Sequence, residues 1–159
     1  MAALGDLGIK TISVSRLYRT PCFPAGTGPD FVNAAASVVC DFPPTELLTL
    51  LHLVEARLGR ERNQRWSART IDIDLLAVGD LVLPDAETYR HWHDLPPELQ
   101  SEIAPDQLIL PHPRMDQRAF VLIPLEDVAP DWLHPVVGLT VAEMVRMLPE
   151  IDRAAVKPL

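Results

Sequence analysis

The 159 residues fit one domain, long enough to bury roughly two thirds of the unfolded surface around a single core. Fourteen basic against 22 acidic side chains leave a formal charge of -8, which excludes a general nucleic-acid or anionic-membrane binder, because either needs a broad basic face. Two cysteines without a C-x-x-C spacing build no disulfide framework, no apolar run reaches the length of a membrane span, and the N-terminus shows none of the regions of a secretory signal, so a cytoplasmic protein is expected; a monomer is its expected state of assembly.

In chain order, Ile9 to Arg19 reads as a strand with Ile12 and Val14 alternating against Ser13 and Ser15, stopped at Pro21. Two glycines and two prolines make residues 22–30 a loop, and Phe31 to Phe42 reads as a second strand antiparallel to the first. Thr45 is the expected N-cap of a helix whose inward stripe is Leu47, Leu48, Leu51, Val54 and Leu58, ended by Gly59. A polar loop over 60–68 then leads into a strand that carries Asp72 and Asp74, and Gly79-Asp80 turns the chain into Leu81-Val82-Leu83. Residues 85–107 read as a polar surface insertion with a short helix near Pro97 to Glu102. An apolar helix is expected from Ala119 to about Val128, and an amphipathic one over Thr140 to Leu148 with Val141, Met144, Val145 and Leu148 inward. Strands and helices mix without regular β-α-β alternation, so the fold class is α+β, an antiparallel sheet covered by helices.

The chemistry concentrates at Arg69-Thr70-Ile71-Asp72-Ile73-Asp74-Leu75-Leu76. On an extended chain Asp72 and Asp74 share one face while Ile71, Ile73 and Leu75 share the other, and their α-carbons lie roughly 7 Å apart at about 3.3 Å per residue. Two carboxylates so placed can reach hard cations from one side. The plain alternative is a solvent-facing pair on an antiparallel sheet, against which stand the depletion of Asp in strands and the arginines just upstream. Arg57, Arg60, Arg62, Arg65 and Arg69 all fall between positions 57 and 69 of an acidic chain. Guanidinium forks fit phosphate oxygens two at a time, so the combination suits a polyphosphate carried with magnesium. Pro111 to Arg118 adds His112, Arg114 and Arg118 in a proline-fixed loop, within reach of the same phosphates. Phe120 and Phe31, with Asn33 beside the latter, could flank a flat heterocycle and read its edge, although either ring would by default be a core residue.

The pieces Ser15-Arg16-Leu17-Tyr18-Arg19-Thr20-Pro21, Pro29-Asp30-Phe31-Val32-Asn33-Ala34-Ala35, Glu55 with Gly59-Arg60-Glu61-Arg62, Arg65-Trp66 through Leu75, and Pro111-His112-Pro113-Arg114-Met115 through Phe120 occur in a fixed order. In that order they resemble the 6-hydroxymethyl-7,8-dihydropterin pyrophosphokinase family of folate biosynthesis. The resemblance implies a ferredoxin-like α+β fold and transfer of diphosphate from ATP to the pterin hydroxymethyl group, releasing AMP. It implies that Asp72 and Asp74 bind two magnesium ions, and that Arg60, Arg62 and Arg69 act on the phosphates. It places Glu55, His112 and Arg118 on the ATP side, with Trp66 in a closing loop. It places Thr20, Pro21, Phe31, Asn33 and Phe120 on the pterin side. The family's opening strand and Gly-Ser-Asn-Leu-Gly segment have no counterpart in these residues, so the sheet is expected to lack that strand, and Met1 to Gly8 resembles the tail of the helix that follows it. Two other readings are a catalytically silent pterin- or nucleotide-binding relative and a two-metal nuclease, the latter opposed by the acidic charge.

Overall fold

A computed structural model describes residues 2–22, 28–59 and 71–159, the side chains of residues 97, 100 and 101 excepted. Its mixture of helices and antiparallel strands is the expected α+β class. A short helix α1 (Ala2–Gly5) precedes β1 (Lys10–Val14), β2 (Tyr18–Thr20), β3 (Phe31–Asn33) and β4 (Ala36–Val39). Helix α2 (Pro44–Arg57) follows, then α3 (Ala86–His93), α4 (Pro97–Glu102), α5 (Ala119–Val128), α6 (Val141–Met147), α7 (Glu150–Ala155) and β5 (Lys157–Pro158).

The two long strands expected at the N-terminus form one antiparallel hairpin, each arm of which is interrupted. Strand β1 pairs with β4, and β2 lies between β3 and β5 in a second sheet. At the break the Ser15 amide donates to the Ala35 carbonyl at 2.9 Å, and the Ala35 amide turns to the Ser15 hydroxyl at 2.8 Å, so a side chain replaces one rung of the ladder. A register shift between Thr11 and Ser13 falls at Ile12. Ile12 and Val14 are exposed while Thr11 and Ser13 are half-buried and Ser15 is buried, so the hydroxyl side of this strand is the covered one.

Helix α2 buries Leu47, Leu51 and Val54 as its stripe predicts, but Leu58 is 48% exposed because it is the C-cap, where the helical face ends. Its N-cap is Pro43, without a side-chain cap; Thr45, expected in that role, lies inside the first turn, where its carbonyl accepts from the Thr49 hydroxyl. Gly59 closes the helix at φ +95°, a conformation that costs a residue without Cβ little. Helix α6 carries a full capping box between Thr140 and Glu143, and Val141, Met144, Val145 and Leu148 are all buried.

Two cores result. One joins Tyr18 to α5 and α6 through Leu122, Val141, Met144 and Val145. The other packs Leu4 and Ile9 on Leu47, Leu51 and Val54 of α2, and Ile73, Leu75 and Val78 rest against it. That second core pins the Asp72–Asp74 segment. The segment alternates as its sequence predicts, with Ile71 and Ile73 half-buried and Asp72 and Asp74 exposed, yet residues 71–77 form no ladder among the described residues. Their backbone groups bond elsewhere: the Ile73 amide to the Glu55 side chain, and the Leu76 carbonyl to the His112 amide at 2.7 Å.

Residues 85–107 are more than an excursion. Asp85 caps α3 through the Glu87 and Thr88 amides, and Tyr89 on that helix is 1% exposed. Among the described residues no helix is long and apolar enough to cross a membrane.

Candidate active site

The Asp segment, α2 and the loop after Leu110 converge on an open cleft of about 480 Å³. Asp72 and Asp74 line it with Glu55, His112 and Arg114, and Pro105 to Leu108 also line it. The convergence follows from the local folding just described. Ile73 and Leu75 are drawn into the core under α2, which turns both carboxylates outward to the cleft. From α2, Glu55 reaches across at 1% exposure and its Oε1 accepts the Ile73 amide at 2.7 Å, fixing the backbone between the two aspartates. From the other side, the His112 amide bonds Leu76, which ties the histidine loop to the same segment.

Electrostatics bind the loop to the pair. Burial pushes the His112 imidazole below its ordinary pKa; Arg118 and Arg114 lower it further, and Asp74 opposes them. His112 is therefore neutral at pH 7, and its Nδ1 accepts the Arg114 amide at 3.2 Å. Burial and Arg114 also disfavour the Arg118 cation, which Asp74 supports. Asp74 thus acts on both the neutral His112 imidazole and the Arg118 guanidinium, and Arg114 adds a second positive charge beside them. Such a site holds an anion with several oxygens only if cations help to neutralise it.

No three His, Cys, Asp or Glu side chains among the described residues group as a closed metal site. Two outward carboxylates with space beside them fit magnesium, which keeps positions open for water and phosphate oxygens. Asp72 and Asp74 are the residues that would hold it.

The model of the 7,8-dihydro-6-hydroxymethylpterin-pyrophosphokinase family matches residues 1–130. The chain belongs to that family. It is 33% identical over 151 residues to the 2-amino-4-hydroxy-6-hydroxymethyldihydropteridine pyrophosphokinase of Synechocystis sp., covering 95% of this chain and 65% of that protein. It is 34% identical over 141 residues to the protein of the same name in Methylorubrum extorquens, covering 89% and 75%. It is also 32% identical to the folic acid synthesis protein fol1 of Pneumocystis carinii, of which it spans 18%. The chain thus covers about two thirds of the first relative and a small part of the last.

Of the residues that the sequence assigns to a pyrophosphokinase site, the structure brings Glu55, Asp72, Asp74 and His112 to one cleft, with Arg118 in electrostatic reach of Asp74. Arg60, Arg62, Trp66 and Arg69 lie outside the described residues. The heterocycle-side residues form a second group. Thr20 is buried at 6% and its hydroxyl accepts the Asn33 side-chain Nδ2 at 2.7 Å, while Phe31, paired with Thr20 across the strands, is 52% exposed. Pro21 continues from β2 and is exposed. Phe120 opens α5, a helix that lies against β3, and the Arg118 guanidinium sits 5.6 Å from its ring centroid. Arg118 therefore stands between the two groups.

Sequence reasoning misses His52 and the wall from Pro105 to Gln107. His52 lies one turn before Glu55 on α2, and the i, i+3 spacing that puts both on one side of the helix is present in the sequence. No pattern in residues 105–107 marks them.

Proposed function

We propose that this chain transfers the β,γ-diphosphate of ATP to the hydroxymethyl oxygen of 6-hydroxymethyl-7,8-dihydropterin, releasing AMP, and that it does so as a monomer in the cytoplasm. The observation that carries the reading is the juxtaposition of the Asp72–Asp74 pair with His112 and Arg114 around one cleft, with Arg118 in electrostatic reach of Asp74. In this reaction the hydroxymethyl oxygen bonds to the β-phosphorus, the bridge between the α- and β-phosphates breaks, AMP departs with that bridging oxygen, and the hydroxyl proton passes to solvent.

The work of the protein is positioning and charge neutralisation. Asp72 and Asp74 would hold two magnesium ions, which would supply positive charge against the phosphates and make the attacking hydroxyl more acidic. Arg118 and Arg114 supply positive charge against the diphosphate, and Arg60, Arg62 and Arg69 are assigned to the same task. The neutral His112 donates one hydrogen bond to a phosphate oxygen and accepts the Arg114 amide with its other nitrogen. Glu55 holds the Asp pair in register from behind. On the pterin side Phe31 and Phe120 flank the ring system, Asn33 reads its edge from a pose set by Thr20, Pro21 adds a backbone contact, and Trp66 belongs to the segment that closes over the nucleotide.

The test is incubation with ATP, magnesium and the hydroxymethyl-dihydropterin, followed by detection of AMP. Production of AMP that requires both the pterin and the metal is expected. A folded protein that binds neither substrate overturns the reading, and one that binds them without forming AMP belongs to the silent alternative.

A further inference from the structure

We infer that His93, on the helix that the sequence presents as a surface insertion, is a positioning residue that clamps the His112–Arg118 loop of the site through Asp116. The inference rests on the proposed function only for the identity of the anion that the loop serves.

The His93 ring lies between two carboxylates: Nδ1 is 2.6 Å from Asp94 Oδ1 and Nε2 is 2.9 Å from Asp116 Oδ2. An ionised carboxylate only accepts, so both contacts are hydrogen bonds when both ring nitrogens carry protons. Burial alone would lower the pKa of this imidazole, but the bonds to Asp116 and Asp94 outweigh it and raise the value. The two carboxylates are unequal. Asp94 is 71% exposed and has water as an alternative partner, whereas Asp116 is 14% exposed and its Oδ1 is buried without a hydrogen-bond partner among the described residues. Asp116 therefore depends on His93 in a way that Asp94 does not.

Asp116 is the middle residue of the 3-10 turn Met115–Gln117, between His112 and Arg118. The turn is closed by the Arg118 amide on the Met115 carbonyl at 3.4 Å, the Met115 amide donates back to the His112 carbonyl at 3.0 Å, and Met115 itself is fully buried. Gln117 adds a bond from its side-chain amide to the His93 carbonyl at 3.3 Å. On the other face of His93 the Tyr89 ring stacks at 5.7 Å, and the Tyr89 hydroxyl is fixed by His134 at 3.0 Å. The 86–93 helix is thus anchored in the interior, and His93 transmits that anchorage to the turn that carries His112 and Arg118.

Hydrogen exchange and nucleotide titration on H93N and H93Q test this clamp, because Asn reproduces the Nδ1 contact with Asp94 and Gln the Nε2 contact with Asp116. We expect the Met115 and Arg118 amides to exchange at least about tenfold faster in H93N and near the wild-type rate in H93Q. The amides of Leu51 and Val145 should be unchanged in both, which separates a local release from general loss of fold. Magnesium-ATP affinity should fall roughly tenfold in H93N and recover in H93Q. If the loop opens in H93N alone but no form of the protein binds ATP, the clamp stands and the nucleotide reading falls. Wild-type exchange in H93N, or equal loosening in H93Q and H93N, overturns the clamp.

Discussion

The Glu55 carboxylate takes the Ile73 amide at 2.7 Å, so a side chain of helix α2 holds the backbone between Asp72 and Asp74. The carboxylate is buried, and truncating the side chain takes away the acceptor that this amide uses. Glu55→Ala should cost about 1–3 kcal/mol in urea unfolding and weaken magnesium-nucleotide binding as well. Glu55→Gln keeps an acceptor oxygen and should recover most of both. Equal losses in the two variants would show that the charge of Glu55 matters more than its bond.

A second carboxylate holds the interrupted hairpin to α5. Asp127 accepts from the Arg16 amide at 3.1 Å, the Arg16 guanidinium at 2.8 and 3.1 Å, and the Tyr18 hydroxyl at 2.8 Å. The bonds from Arg16, opposed by burial and joined by the Tyr18 hydroxyl, pull its pKa down to about 2 from the ordinary 3.8. A carboxyl depressed in the folded state stabilises above its unfolded pKa, and that contribution is lost as pH falls toward 2. Asp127→Asn should therefore melt lower than wild type at pH 7, with the gap closing between about pH 4 and 2. A gap that is independent of pH would assign the loss to packing.

Much of this arrangement is legible where one physical signal dominates. Helices α5 and α6 fall where an apolar run and an amphipathic stripe put them, and the Asp pair stands out because charge inside a β-branched run has no structural motive. Features that depend on tertiary partners are not legible. The break at Ser15 is set by a hydroxyl that reaches across to Ala35, which no periodicity reports. Helix α3 presents one deeply buried residue, Tyr89, in a sequence of polar and ionisable groups, so its burial pattern carries no stripe. Alternation alone would place the extended Asp segment in a ladder. Its register comes instead from Glu55 and His112, residues distant in sequence.

His134 is fully buried, and its protonation state follows from its bonds. Its Nδ1 accepts the Val136 and Val137 amides, each at 3.2 Å, so the single proton of the neutral ring sits on Nε2 and meets the Tyr89 hydroxyl at 3.0 Å. Burial lowers its pKa below 6.5; Asp116 opposes that shift and His93 adds to it. The unfolded state therefore binds a proton more readily than the folded one, and stability falls as pH drops below about 6.5. His134→Gln should be less stable by about 1–3 kcal/mol at about pH 7.5, and its deficit should shrink toward about pH 5. Urea unfolding across that range reads the difference. A deficit that grows on acidification would mean the folded ring is charged.

The Asp72 and Asp74 side chains are exposed and line the cleft, whereas their apolar neighbours carry the packing. Replacing either carboxylate therefore removes function without removing fold. Asp72→Ala and Asp74→Ala should each keep stability within about 0.5 kcal/mol of wild type, the range of surface substitutions away from structural features. Each should lower AMP formation by at least about a hundredfold, since neutralising the charge on the transferring phosphates supplies most of the rate enhancement in such a reaction. The two should differ in one respect. Asp74 is the carboxylate that supports the Arg118 cation against its burial, so its loss also weakens the hold of the loop on the phosphates. Titration with ATP in the absence of magnesium isolates that effect, and only Asp74→Ala should change it. Turnover near the wild-type rate from either variant would show that the pair does not carry the metal.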